Sequence, residues 1–198
     1  MSEASIVSSI DANRLILTGE NPFVRLSQND GDDNTTNASF WRILLSPAGP
    51  GHVLYLKSEL IENEWRIYSD NIALARWLQT TVQDMLNAEL LDLKIPVIDA
   101  RFSRSGDARD FWTERLDTGD EVIALTWYRI GEPLLVHTQP NVDPERPYGV
   151  CTVLIPALGA RLTRNEHMAA GQPWPRERER KPFSTCALAF SESWTEAR

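Results

Sequence analysis

The stretch from Glu121 to Thr138, EVIALTWYRIGEPLLVHT, constrains the fold more than any other part of the chain. Val122, Ile123, Leu125, Thr126, Trp127 and Tyr128 are β-branched, aromatic or aliphatic, the types that fit a pleated and half-buried surface. Ile130-Gly131-Glu132-Pro133 interrupts the run with turn formers, and Leu134-Leu135-Val136 resumes it, so the segment reads as a β-hairpin. Neither arm alternates cleanly between apolar and polar residues, which predicts a central strand pair covered on both faces. The length of the loop sets the face of His137. A loop of Ile130 to Pro133 pairs Thr126 with His137 and gathers Thr126, Tyr128 and His137 on one face. A loop one residue shorter pairs Trp127 with His137 and puts the histidine on an apolar face with Leu125. A plain Gly131-Glu132 turn is disfavoured, because Pro133 has no N–H to close it.

Much of the remaining chain has the same character. Leu15 to Leu17, Phe23 to Leu26, Phe40 to Leu45, His52 to Lys57, Trp65 to Tyr68, Val97 to Arg104, Asp110 to Leu116, Tyr148 to Ile155, Gly159 to Arg164 and Phe183 to Ser193 read as short strands punctuated by turn formers. One stretch differs. Ser69-Asp70-Asn71 offers N-capping side chains, and Leu74, Ala75, Leu78, Val82, Met85 and Leu86 then form one apolar stripe. Arg76, Gln79, Thr80, Gln83 and Asp84 lie mostly off that stripe, so an amphipathic helix at about 70–86 is expected to lie on the sheet.

Short strands around one helix, without strand–helix alternation, predict a mainly β (β-rich α+β) fold. The expected form is an antiparallel barrel or curled sandwich, calycin-like in general shape, with the helix packed on it. A parallel dinucleotide-binding fold does not suit this pattern. Residues 1–198 read as a single domain, with flexible loops at 28–37 and 165–182 and an irregular connection from Gln139 to Pro147.

A net charge of −8 argues against nucleic acid and against an anionic membrane surface as partners. The start, MSEASIVSSIDANR, lacks the basic and apolar regions of a signal peptide, and no apolar run approaches the ~20 residues that span a bilayer. A cytoplasmic location is the resulting expectation. Cys151 and Cys186 sit in apolar strand-like contexts and read as inert thiols, with a bridge between neighbouring strands left open. Asp30, Asp32 and Asn34 have the first spacing of a calcium loop, but Thr35 and Trp41 stand where it requires glycine and glutamate. The sequence has no glycine-rich phosphate loop, G-x-S-x-G, H-E-x-x-H or Cys-x-x-Cys. No organic cofactor and no metal are expected, since the spacing of His52, His137 and His167 demands none.

His137 is the candidate general acid or base, because imidazole titrates near neutrality and this one follows an apolar run. Tyr128 and Glu121 are the candidate assisting groups. A structural histidine, satisfied by backbone and Tyr128, is the competing reading. Trp127, Trp112, Thr126 and Arg115 are the candidate substrate-binding residues, the tryptophans as pocket walls and the arginine for an anionic group. Arg101 is a second candidate of that kind, and Trp174, between Pro173 and Pro175, reads as a lid or a loop anchor. Asp99, Glu114 and Glu121 lie within strands, where an inward-pointing acid acquires a raised pKa. His52 and His167 are expected to be solvated.

The expectation is a cofactor-independent enzyme performing proton transfer (isomerase or cyclase, lyase or hydrolase) on a hydrophobic or cyclic metabolite in a β-barrel pocket. The alternative is a non-catalytic ligand-binding or accessory-subunit protein. Its sign would be a pocket lined by Trp and Leu with no ionisable group pointing in. A homo-oligomer formed through an exposed sheet edge is compatible with either.

Overall fold

The computed structural model describes residues 12–142, 147–178 and 180–197, so the start of the chain and the middle of the Gln139–Pro147 connection lie outside the described residues. The strands in chain order are β1 (Leu15–Glu20), β2 (Phe23–Leu26), β3 (Thr36–Leu45), β4 (Gly51–Ser58), β5 (Trp65–Ser69), β6 (Val97–Asp99), β7 (Arg101–Gly106) and β8 (Phe111–Asp117). They continue with β9 (Val122–Ile130), β10 (Leu134–Thr138), β11 (Gly149–Arg164), β12 (His167–Met168), β13 (Pro175–Arg178), β14 (Lys181–Ser184) and β15 (Ala187–Thr195). All but β13 and β14, which pair with each other, belong to one sheet ordered β6-β5-β4-β3-β1-β15-β11-β9-β8-β7 along its main path.

The pairs are antiparallel except β5–β6. The two ends of the order, β6 and β7, are consecutive in the chain and separated only by Ala100, whose N–H donates to Ser69 O at 3.2 Å. The sheet therefore curls until its ends meet at one residue. This is the strand-rich, curled fold with a packed helix that the pattern of short strands predicts.

Period-two alternation sorts the side chains onto two faces. Phe40, Leu54, Leu56, Tyr68, Leu116, Leu125, Trp127 and Leu188 fill the inside of the curl. Leu17, Trp41, Ile43, Val53, Tyr55 and Ile67 lie on the other face and are covered by the helix. Asn71 caps that helix by accepting from Leu74 N at 3.1 Å. It runs as α1 (Ile72–Leu78), a π-helical stretch (Gln79–Gln83) and α2 (Asp84–Leu86).

Leu74, Ala75, Leu78 and Val82 are buried as expected. The wider π turn shifts the phase of the stripe, so that Gln79 and Gln83 are buried and Leu86 is 40% exposed. The two glutamines are accommodated because their amides are matched. Gln79 Nε2 donates to Leu90 O at 2.7 Å, and Gln83 Nε2 donates to Ser39 Oγ at 3.2 Å.

The largest departure lies in the central stretch. β9 and β10 do not form a hairpin; both run antiparallel along β11, with Ile130 opposite Ala157 and Leu134 opposite Leu154. Gly131 to Pro133 thus face only Ile155 and Pro156, which makes the interruption a bulge in one long bent strand. Gly131 N donates to Pro156 O at 2.7 Å. Pro133, without an N–H, falls where the ladder is already broken. The same turn formers serve a hairpin or a bulge. The partner strand decides between them, and β11 is long enough to hold both arms. The bulge also exchanges the buried faces: Leu125 and Trp127 point into the curl, whereas Val136 packs with Leu154 and Ala189 on the opposite side.

Part of the expected loop at 165–182 is also ordered structure. Ser27 bridges to Gln172, and β13–β14 form a short hairpin. Trp174 anchors this segment by donating from Nε1 to Ser27 O at 3.2 Å. The polar loop near residue 30 ends where β3 begins at Thr36. Cys151 and Cys186 are both free, and burial pushes the Cys186 thiol up to about 12. No helix among the described residues is long and apolar enough to cross a membrane.

Candidate functional site

Titratable side chains gather where β1, β3, β4, β7 and β8 reach one end of the curl. Register places them: Glu20 is opposite Arg42, Arg42 opposite His52, and Arg104 opposite Glu114. Arg42 follows inward-pointing Phe40 by two residues, and Arg104 follows Phe102 in the same way, so alternation turns all of them toward the mouth of the curl.

Glu20 is the hub. It accepts from Arg42 Nη1 at 3.2 Å and from Arg104 Nη2 at 2.9 Å. This carboxylate ties β7 to β1 and β3, which are not its neighbours in the sheet. The Arg104 guanidinium lies 5.2 Å from the centre of the Trp112 ring. Trp112 Nε1 in turn donates to Glu114 Oε1 at 2.9 Å, with Arg104 Nε 3.7 Å from the same oxygen. Glu114 is 3% exposed. Burial pushes its carboxyl up to about 7, while the Trp112 hydrogen bond and the Arg104 charge pull the other way. At neutral pH this acid is therefore divided between its two protonation states.

His52 stands at the rim of the same mouth. Asp70 Oδ1 accepts the His52 backbone N–H at 2.7 Å, and Asp70 Oδ2 is 2.7 Å from His52 Nδ1. An ionised carboxylate only accepts, so Nδ1 carries the proton and the lone pair of the neutral ring lies on Nε2. Phe102 stacks on the imidazole at 5.1 Å and 13°. A Cβ at Gly51 would come within 2.8 Å of Asp70 Oδ1, so glycine there lets the carboxylate close over the histidine. An open cleft of about 770 Å³ adjoins the pair, lined by Arg42, His52, Asp70, Asn71, Ile72 and Asp99 among others.

Trp112 and Glu114, both singled out in the sequence, belong to this cluster. Asp99 lines the cleft beside His52, and the remaining candidates stand elsewhere. Glu121 is clamped: Tyr68 Oη donates to Oε1 at 2.8 Å, Arg164 Nε donates to Oε2, and Arg66 Nη1 lies 3.9 Å away. Arg164 also donates to Leu60 O at 2.7 Å, so the acid holds two strands and a turn together. Trp127 is fully buried core, with its Nε1 donating to Phe23 O at 2.9 Å. Thr126 shares a hydrogen bond with Thr113 at 3.1 Å and lies opposite Arg161, not His137. Tyr128 is half-exposed over Gly159.

His137 is exposed, lies opposite Cys151, and has Gln139 Nε2 3.5 Å from its ring. Arg115 pairs with Asp117 at the surface, at 3.5 Å. Glu121, Tyr128 and His137 are spaced along one bent strand at ~3.3 Å per residue, which keeps them apart. Nothing in spacing alone joins Asp70 to His52 or Glu20 to Arg104. The one local signal is alternation, which sets Glu114 two residues after Trp112.

Because Glu121 balances Arg66 and Arg164, Glu121→Ala is expected to lower unfolding free energy by about 2 kcal/mol. That is below the cost of breaking a fully buried pair, since the arginine side chains are 25% and 33% exposed. Urea denaturation of the variant measures it, and a midpoint equal to that of the wild type would remove the structural role assigned to Glu121.

Among the described residues no group of His, Cys, Asp and Glu is placed to hold a metal ion together. Comparison with known proteins found no matching family model, no matching curated protein and no matching solved structure. The functional reading rests on the geometry of this mouth.

Proposed function

We propose that the protein is a cofactor-independent enzyme that moves a proton on a small organic acid at the mouth of the curl. The observation that carries this reading is the Asp70–His52 pair beside an open cleft that also presents Arg42. Asp70 holds the ring in the tautomer that leaves Nε2 free to accept, and stabilises the imidazolium that forms when it does. Arg42 offers the charge that anchors a carboxylate next to that base. Arg104, Glu20 and Glu114 lie behind these groups and set the local potential. Isomerisation and elimination next to a carboxylate both begin with such a proton abstraction. In this reading His52 takes the role that the sequence suggested for His137.

The test is carbon-bound deuterium incorporation in D2O, using a panel of keto, hydroxy and unsaturated carboxylates. The wild type should label at least one of them. His52→Gln should slow labelling by roughly 10²–10⁴-fold, the usual contribution of a positioned acid or base. His137→Ala should leave the rate unchanged. Failure of every substrate to exchange, or exchange untouched by His52→Gln, overturns the proposal.

A further inference from the structure

A second, smaller cavity lies on the other side of the sheet from the inner core. It holds about 280 Å³ between β10, β11 and β15 on one side and the end of α2 and the β13–β14 hairpin on the other. Val136, Val150, Leu154, Tyr148, Trp194 and Leu86 give it apolar walls. Its aromatic side is held in place: Trp194 Nε1 donates to buried Glu192 at 2.7 Å, and the indole packs 6.2 Å from Trp41 and 6.1 Å from Tyr148. Leu86 is the residue that the π turn rotates off the helix–sheet interface, and here it has a use.

Among the described residues that line it, one side chain is charged. Arg178 lines the cavity from the hairpin, and no carboxylate among the described residues pairs with it. A fixed aromatic wall, an apolar floor and the Arg178 guanidinium complement a molecule with an apolar body and a single negative end. At the ~30 Å³ that one water occupies in the liquid, 280 Å³ corresponds to about nine water volumes, room for a small ligand. We infer that this cavity binds a small hydrophobic monocarboxylate, its hydrocarbon part against Trp194 and Leu154 and its carboxylate on Arg178. The site is separate from the charged mouth and does not depend on the proposed chemistry there.

Octanoate is the probe, with octan-1-ol as its uncharged counterpart, and binding is read by calorimetry and by methyl NMR of Val136 and Val150. Octanoate should bind saturably at one site and shift those methyls, and octan-1-ol should bind more weakly. Arg178→Gln, a change at an exposed position, should weaken octanoate at least about tenfold, the scale of one lost charge-assisted hydrogen bond. Leu86→Trp, which fills the space from a half-exposed position, should abolish binding while leaving the fold intact. No saturable binding by the wild type, or binding that both variants preserve, overturns the inference. Binding lost only in Leu86→Trp, with Arg178→Gln unaffected, overturns the assignment of a carboxylate ligand.

Discussion

Replacing Trp127 with alanine is expected to cost about 4 kcal/mol of unfolding free energy, within the range for emptying a large aromatic site in a core. Three contributions point the same way. The indole is fully buried on the inner face of β9. Its cross-strand neighbour on β11 is Ala160, too small to collapse into the space. Its Nε1 is also the donor to Phe23 O, and losing this part-buried hydrogen bond adds about 1 kcal/mol. Trp127→Phe separates these effects, since it keeps most of the ring volume and loses the N–H. It should therefore be less costly than the alanine variant. Urea denaturation gives both values, with His137→Ala as a surface control expected within about 0.5 kcal/mol of the wild type. A Trp127→Ala protein as stable as that control would falsify the placement of this residue in the core.

Stability is expected to fall as pH rises from about 4.5 to about 7. Glu114 and Glu192 are both buried carboxyls displaced upward from 4.5 to about 7. Burial is the first cause for each. It outweighs the hydrogen bond from Trp112 at Glu114, and those from Trp194, Thr152 and Asn21 at Glu192. Between the two pH values the folded protein keeps protons that the unfolded chain has released. The stabilisation is complete below about 4.5 and is lost as pH passes about 7, on the order of 3 kcal/mol per group.

Asp107, Asp117 and Glu89 are displaced downward, the aspartates by backbone hydrogen bonds and Glu89 by Lys57 and Trp65. Glu89 and Asp107 are exposed and Asp117 is partly so, and they act in the opposite sense only at more acidic pH. Unfolding by urea between pH 5 and 8 should show the slope, and Glu114→Gln or Glu192→Gln should each remove about half of it. A wild-type profile that is flat over this interval would mean that both carboxyls stay ionised in the folded protein.

The candidate site was partly legible. Trp112 and Glu114 stand two residues apart on one strand, and alternation alone sends both to the same face. The helix was legible from its cap and stripe, although the π turn that buries Gln79 and turns Leu86 outward left no mark in the pattern. His137 drew attention because it follows an apolar run, a local property. What commends His52 in the proposed chemistry is its contact with Asp70, which needs β4, β5 and the start of α1 to be packed together.

Residue chemistry along the chain determined that this protein is mainly strands with one amphipathic helix, because β-branched and aromatic runs, caps and breakers act over a few residues. The tertiary structure alone decided that Gly131–Pro133 is a bulge, that Glu121 is clamped rather than free, and that Glu20, Arg42, His52, Arg104 and Glu114 share one mouth. Register belongs to a pair of strands, and which strands pair depends on how the whole sheet curls to bury its inner face.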